Sequence, residues 1–186
     1  MLLSNQPTRR RPSRRGFGAT LVILALLLAP SVGHAAEVPV NLQVALFTKI
    51  FSYDYKLAKE KSGGYEILIV YAPGKLSGAL ELIAGFSKTG ARAKPVSESD
   101  LKNKIREAHV VYVMTGVDAE AVGKLCAAHS VLSITGNPKF VEDGDVSIGL
   151  EIASGGRPKI VVNILRVSTE GHTFSSQLLR LARIIR

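Results

Sequence analysis

Three short runs of apolar positions organise this chain: 67–71 (ILIVY), 110–114 (VVYVM) and 131–135 (VLSIT). Each is rich in β-branched or aromatic residues, and none alternates cleanly between apolar and polar. Such runs fit strands covered on both faces, as in a parallel sheet. Between them the period changes. Leu76, Leu80 and Ile83 recur at helical spacing after the first run, and Val117, Ala121 and Leu125 do so after the second. A weaker strand is expected over 91–96 and a short helix over 99–107. The alternation of strand and helix predicts an α/β fold with a mostly parallel sheet and right-handed crossovers.

Further along, the pattern becomes two-fold. Val146, Ile148, Leu150 and Ile152 alternate with polar or small residues, 154–158 reads as a turn, and 159–164 returns as a strand. This predicts an antiparallel hairpin at the edge of the sheet. Residues 40–51 read as a helix whose stripe is Leu42, Leu46, Ile50 and Tyr53, with Val44, Phe47 and Phe51 beside it. So wide an apolar face packs on the sheet or on a partner. At the far end a strand stops at Asn163, a loop follows, and a closing helix sets Leu178, Leu181, Ala182 and Ile185 on one stripe over the sheet. Leu179 and Ile184 flank that stripe and are candidates for contact with a partner or a second copy. The Asn163 amide both donates and accepts, so it suits the point where a strand leaves its sheet.

The first residues carry an address. Five arginines (Arg9, Arg10, Arg11, Arg14 and Arg15) precede an apolar run over 19–29, and small residues close at Ala35 and Ala36. This is the layout of a secretory signal peptide, expected over 1–35 and leaving one domain over 36–186. The apolar run is shorter than the roughly 20 residues that span a bilayer; the other reading is an uncleaved anchor. Ser13-Arg14-Arg15-Gly16-Phe17 resembles a twin-arginine export motif, whereas the leucine-rich run resembles a general secretion signal, so the route stays open.

The leader changes the charge picture. The formal net charge is +9, but removing the five leader arginines from 24 basic residues leaves 19 against 15 acidic ones, a net +4. With basic residues scattered and no aromatic interleaving, nucleic acid is not an expected partner. The single cysteine, Cys126, excludes an internal disulfide and sits among apolar helical neighbours as a small core residue.

Chemistry is sparse. Gly74-Lys75-Leu76-Ser77 lacks both the earlier glycine and the hydroxyl residue of a phosphate loop. His109 opens a strand, while His129 and His172 fall in expected loops with surface or capping roles. No two of these histidines share a metal-ligand spacing. Glu142, Asp143 and Asp145 read as a solvated turn. Ser175 and Ser176 precede a helix and read as caps. No catalytic residue, cofactor or metal is expected. The default pocket lies where the strong strands end, at 72–74, 115–116 and 135–138.

Several motifs in order resemble the YfiR family of periplasmic proteins. They are the early helix Leu42-Gln-Val-Ala-Leu-Phe-Thr-Lys-Ile50, the strand Tyr65-Glu-Ile-Leu-Ile-Val70, the run at 131–135 with Phe140 and Gly144 behind it, and the strand ending in Asn163. Last comes Ser175-Ser176-Gln177-Leu178-Leu179-Arg180-Leu181-Ala182, the most specific part. Departures include Asp143-Gly144-Asp145 in place of a glycine pair, Val161-Val162 where Phe is common before the Asn, and no Trp-Pro after Lys49. The resemblance implies a three-layer α/β/α fold and a regulator rather than an enzyme. Such a protein binds an inner-membrane signalling protein, a diguanylate cyclase or a histidine kinase, and restrains it, with biofilm growth as the output. A small-ligand receptor in the same compartment is the alternative. Phe47, Phe51, Leu179 and Ile184 are the expected partner contacts, and Asn163, Ser175, Ser176, Leu178 and Leu181 the structural motif.

Overall fold

The structure, a computed structural model, describes residues 38–59 and 64–186. The leader expected over 1–35 lies outside them. Seven strands form one sheet: β1 (Glu66–Tyr71), β2 (Arg92–Ser97), β3 (Val110–Val113), β4 (Leu132–Thr135), β5 (Ile148–Ile152), β6 (Pro158–Asn163) and β7 (Arg183–Ile185), in the order β2-β1-β3-β4-β5-β6-β7. From β2 to β5 all neighbours are parallel. β5 and β6 form the antiparallel hairpin, with Ile148 opposite Val162.

The helices are α1 (Val40–Phe51), α2 (Tyr55–Lys59), α3 (Leu76–Ser87), α4 (Leu101–Lys104), α5 (Ala119–His129), α6 (Pro138–Glu142), α7 (Ile164–Thr169) and α8 (Ser176–Leu181). The apolar strand runs serve both faces, as a covered parallel sheet requires. Ile67 and Ile69, Val110 and Tyr112, and Leu132 and Ile134 meet α1 and α3. Leu68 and Val70, with Val111 and Val113, turn to the other side and meet Leu101 of α4 and Val122 and Cys126 of α5. Helices on both sides of the sheet make the three α/β/α layers.

Three details differ from the sequence reading. Val146 joins the opposite face from Ile148 and Leu150, because β5 begins only at Ile148 and the residues before it are turning. The hairpin is not the edge, because β7 pairs with β6 in parallel, Ile184 opposite Val162. The closing helix is also shorter than its spacing implied. It ends at Leu181, Ala182 turns extended (φ −94°, ψ 154°), and the chain finishes as β7. Arg183 fixes that strand with a guanidinium fork, Nη2 lying 2.6 Å from both Glu142 Oε1 and Glu151 Oε2. Leu181 is therefore 68% exposed rather than part of a buried stripe. Among the described residues no helix is long and apolar enough to cross a membrane.

Candidate functional site

The strand order places a topological switch between β1 and β3, since the chain leaves β1 toward β2 and resumes at β3 in the other direction. Ligands of such sheets bind beyond the carboxyl ends of the strands at this crevice. A cavity of about 420 Å³ opens there. Its walls are the entry to α1 (Val38, Pro39, Val40), the cap and first two turns of α3 (Lys75, Gly78, Glu81, Leu82) and the end of β3 (Met114, Thr115). Two of the three expected loops reach it directly, through Thr115 and Gly136, and Lys75 follows the third.

A buried hydrogen-bonded pair forms part of the lining. The Tyr112 hydroxyl donates to Gln43 Oε1 at 2.5 Å, and Gln43 Nε2 donates to the Val38 carbonyl at 2.6 Å. Gly136 permits this closeness, because a Cβ there would lie 2.6 Å from Gln43 Oε1 and 2.7 Å from Tyr112 Oη. The sequence reading missed Gln43. Its signal was a polar residue one turn before Phe47 on the apolar face of α1, a position that demands a partner when buried. Lys75 and Glu81 are exposed at the cavity wall, and neither has an ion-pair partner among the described residues.

A second polar cluster is sealed. Asp54, at the corner after α1, accepts from the backbone N–H groups of Lys56 (2.8 Å) and Leu57 (3.2 Å) through Oδ1. Its Oδ2 lies 2.6 Å from His172 Nδ1. Glu170 accepts from Ser133 N (2.9 Å), Ser133 Oγ (2.5 Å) and Ser147 Oγ (2.5 Å). Asp54 and Glu170 are fully buried, and His172 is 3% exposed. Burial pushes the Glu170 carboxyl above its ordinary range, against the opposing pull of the Ser133 and Ser147 hydrogen bonds and of His172. Burial also pushes the Cys126 thiol well up, and the nearby Glu170 charge adds to it. A thiol so held is a poor nucleophile.

His172 thus corrects the surface role expected of it. The backbone carries it inward, because Asp54 bridges Phe174, Tyr55 N–H donates to Thr173 O and Ser175 N–H donates to Tyr53 O. His172 Nε2 and Ser175 Oγ are buried and find no hydrogen-bond partner among the described residues, so they do not form a nucleophile–base pair with each other. Among the described residues no group of three His, Cys, Asp or Glu could hold a metal ion.

Asn163 caps α7, its Oδ1 accepting from Arg166 N at 2.9 Å while Nδ2 donates to Val141 O at 3.3 Å. Leu178 is buried. Ser175 occupies the N-cap position of α8 but its side chain makes no cap hydrogen bond, and Ser176, the first helical residue, is exposed. Leu179 and Ile184 are half-buried against the α1 side of the core, Ile184 from β7 rather than from a helix. Phe47 and Phe51 are not surface residues. They are 0% and 1% exposed and belong to an aromatic group in which Phe47 meets Tyr112 edge-on at 6.0 Å and Phe51 meets Tyr65 edge-on at 5.2 Å. Their apolar rings favour the sheet over water.

Solved structures that share this architecture include two that we describe. One is a conserved domain protein from Vibrio cholerae, with a TM-score of 0.60 at 16% identity over 80% of this chain. The other is the ABC domain in complex with L-Trp from Streptococcus pneumoniae, with a TM-score of 0.56 at 12% identity over 79% of this chain. The alignment spans 60% of each of those chains, and at these identities the likeness concerns the fold. No curated protein matches the sequence significantly. The YfiR/HmsC-like family model, in contrast, matches residues 41–183, from the first turn of α1 to the start of β7. Because that match covers most of the chain and takes in β1 to β6, the chain belongs to the YfiR/HmsC-like family.

Proposed function

We propose that this protein is an exported, non-catalytic regulator that binds an inner-membrane signalling enzyme, a diguanylate cyclase or a histidine kinase, and restrains it. The observation that carries this reading is the family match over residues 41–183. Restraint by binding needs a complementary surface rather than a catalytic constellation. With Phe47 and Phe51 in the core, the surface we assign lies on α3. Leu76 (43% exposed) and Leu80 (52% exposed) stand one turn apart, and exposed Ala84 extends the stripe by another turn. An apolar centre with a polar rim is the usual anatomy of such a contact. Leu179 and Ile184, half-buried, offer the competing surface at the other end of the chain.

The test is cellular cyclic di-GMP together with a membrane pulldown. Deleting the gene raises cyclic di-GMP if the partner is a cyclase, and Leu80→Asp reproduces much of that rise with an unchanged melting temperature. If Leu179→Ala has the effect and Leu80→Asp does not, the contact lies at the C-terminus. If neither changes cyclic di-GMP and no membrane protein is recovered, the regulator reading fails. Export is tested separately, by N-terminal sequencing of periplasmic protein, which should begin at Ala36 or Glu37.

A second reading, a small-ligand receptor, is favoured by the cavity of about 420 Å³ at the strand ends. That size lies within the roughly 300–1,000 Å³ of small-molecule sites.

A further inference from the structure

We infer that the partner meets the β2 rim of the sheet with an acidic amphipathic helix. The inference rests on the regulator reading, with contact through the α3 stripe, and adds the chemistry of the segment that docks there. Residues 75–107 hold seven basic residues against four acidic ones, a net +3, which is most of the +4 of the chain beyond the leader. They form α3, β2 and α4, the elements at one rim of the sheet. Lys88, at the C-terminal cap of α3, is exposed and has no ion-pair partner among the described residues. Arg92 and Lys94 share the carboxylate of Glu66, Lys94 at 4.0 Å, so this cluster keeps an excess of positive charge. Neighbouring acids are engaged elsewhere: Glu81 lines the cavity, and Asp100 accepts from Ser97 Oγ at 2.7 Å.

An apolar flank runs beside these cations. Leu76 and Leu80 are exposed on α3, and half-buried Ile83 continues their stripe. α3 packs on β2, whose Ala93 belongs to the same core face; by strand alternation exposed Pro95 shares that face, while Arg92 and Lys94 take the other. The edge itself limits how a partner binds. The Arg92 N–H donates to Tyr65 O at 2.8 Å, so Arg92, Lys94 and Val96 turn their backbone groups toward β1, and Ala93, Pro95 and Ser97 turn theirs outward. Pro95 has no N–H, and it interrupts the outer row against strand addition. A segment that docks without a strand ladder satisfies its own backbone, as a helix does. A second copy is opposed, because two-fold pairing of this rim brings like charges together. An acidic helix answers both flanks, with apolar anchors on Leu76 and Leu80 and carboxylates at Lys88 and Lys94.

The experiment measures binding of the labelled, purified protein to spheroplasts of its native host from which the gene has been deleted. The double variant Lys88→Glu, Lys94→Glu should bind about tenfold more weakly than the native protein and melt as it does. Should Lys94→Glu beside Glu66 lower the melting temperature, Lys88→Glu with Lys94→Gln carries the same test. Arg180→Glu, exposed on α8 beside β6, should leave binding within about twofold. Raising salt from about 50 to about 300 mM should weaken the native protein more than the double variant. A photo-crosslinker placed at Leu80 should capture a protein segment in which acidic residues outnumber basic ones. Acid-to-lysine changes in that segment should restore binding of the double variant. Affinity unmoved by the double variant, with a membrane protein still captured, keeps the regulator reading and overturns the acidic helix. Capture of a second copy, or equal binding to protein-free phosphatidylglycerol vesicles, also overturns it. If the spheroplasts bind nothing, both readings fail.

Discussion

Helix α1 carries a buried polar group near each end, and the two ends are built differently. Gln43, in its first turn, bonds to Tyr112 beside an open cavity. Asp54, three residues past its last turn, meets His172 where both side chains are wholly enclosed. Most of a 12-residue helix, itself about 18 Å long, runs between them. The first is a neutral amide–phenol bond on the wall of a cavity, and the second joins a carboxyl to an imidazole in the sealed core. At the cavity wall there is room for a water to take the place of a lost partner, so the pair is adjustable. At the sealed end nothing replaces it, so the pair acts as a lock. A fold that must respond to another molecule while keeping its shape benefits from having one of each.

The contrast breaks most visibly at His172. His172→Ala leaves Asp54 buried with only its two backbone donors, and removing one member of a buried pair costs about 3–5 kcal/mol. Denaturant titration should show that loss, a large share of the roughly 5–15 kcal/mol of a typical domain. Glu170→Gln comes next. The amide cannot accept all three hydrogen bonds, a cost of about 1–3 kcal/mol. This variant also has a pH signature. The Glu170 carboxyl is raised above its ordinary value of 4.5 in the fold, so the folded state holds its proton more tightly than the unfolded state. Its contribution to stability is therefore greatest at or below that ordinary value and is lost as pH rises through the folded value. Stability measured against pH should show this decline in the native protein and a shallower one in Glu170→Gln. An identical decline in both would assign it to other groups. The smallest effect belongs to the open end. Tyr112→Phe removes one hydrogen bond beside the cavity and costs about 0.5–1.5 kcal/mol. A loss as large as that of His172→Ala would mean that the cavity end is locked as well.

Much of this architecture was written in apolar periodicity. The runs at 67–71, 110–114 and 131–135 became β1, β3 and β4, and 40–51 became α1 with its expected bounds. The strand-end pocket followed from topology, since a doubly wound sheet leaves a crevice where its crossovers part. Side-chain exposure was harder to read. Phe47 and Phe51 lie beside the central stripe of a wide apolar face, and pattern alone does not say how much of that face the sheet covers. His172 lies in a loop as expected but read as a surface residue, because its partner, Asp54, is remote in sequence and only the tertiary fold brings them together. The terminal segment failed for a tertiary reason as well. Leu181, Ala182 and Ile185 fit a helical spacing, but Arg183 finds Glu142 and Glu151 only if the chain extends after Leu181.

The pairing of Asp54 with His172 also sets a timetable. The two lie 118 positions apart, and contacts so distant in sequence form late. A chain that emerges N-terminus first has its first helix and four central strands available well before His172 arrives. Until then the corner after α1 has no bridge to Phe174 and no imidazole for its carboxylate. Closure of that corner therefore reports that the chain has been made through His172. A fragment that ends before His172 keeps β1 to β6 but leaves this corner open, and it presents that opening to proteases that leave the full chain intact.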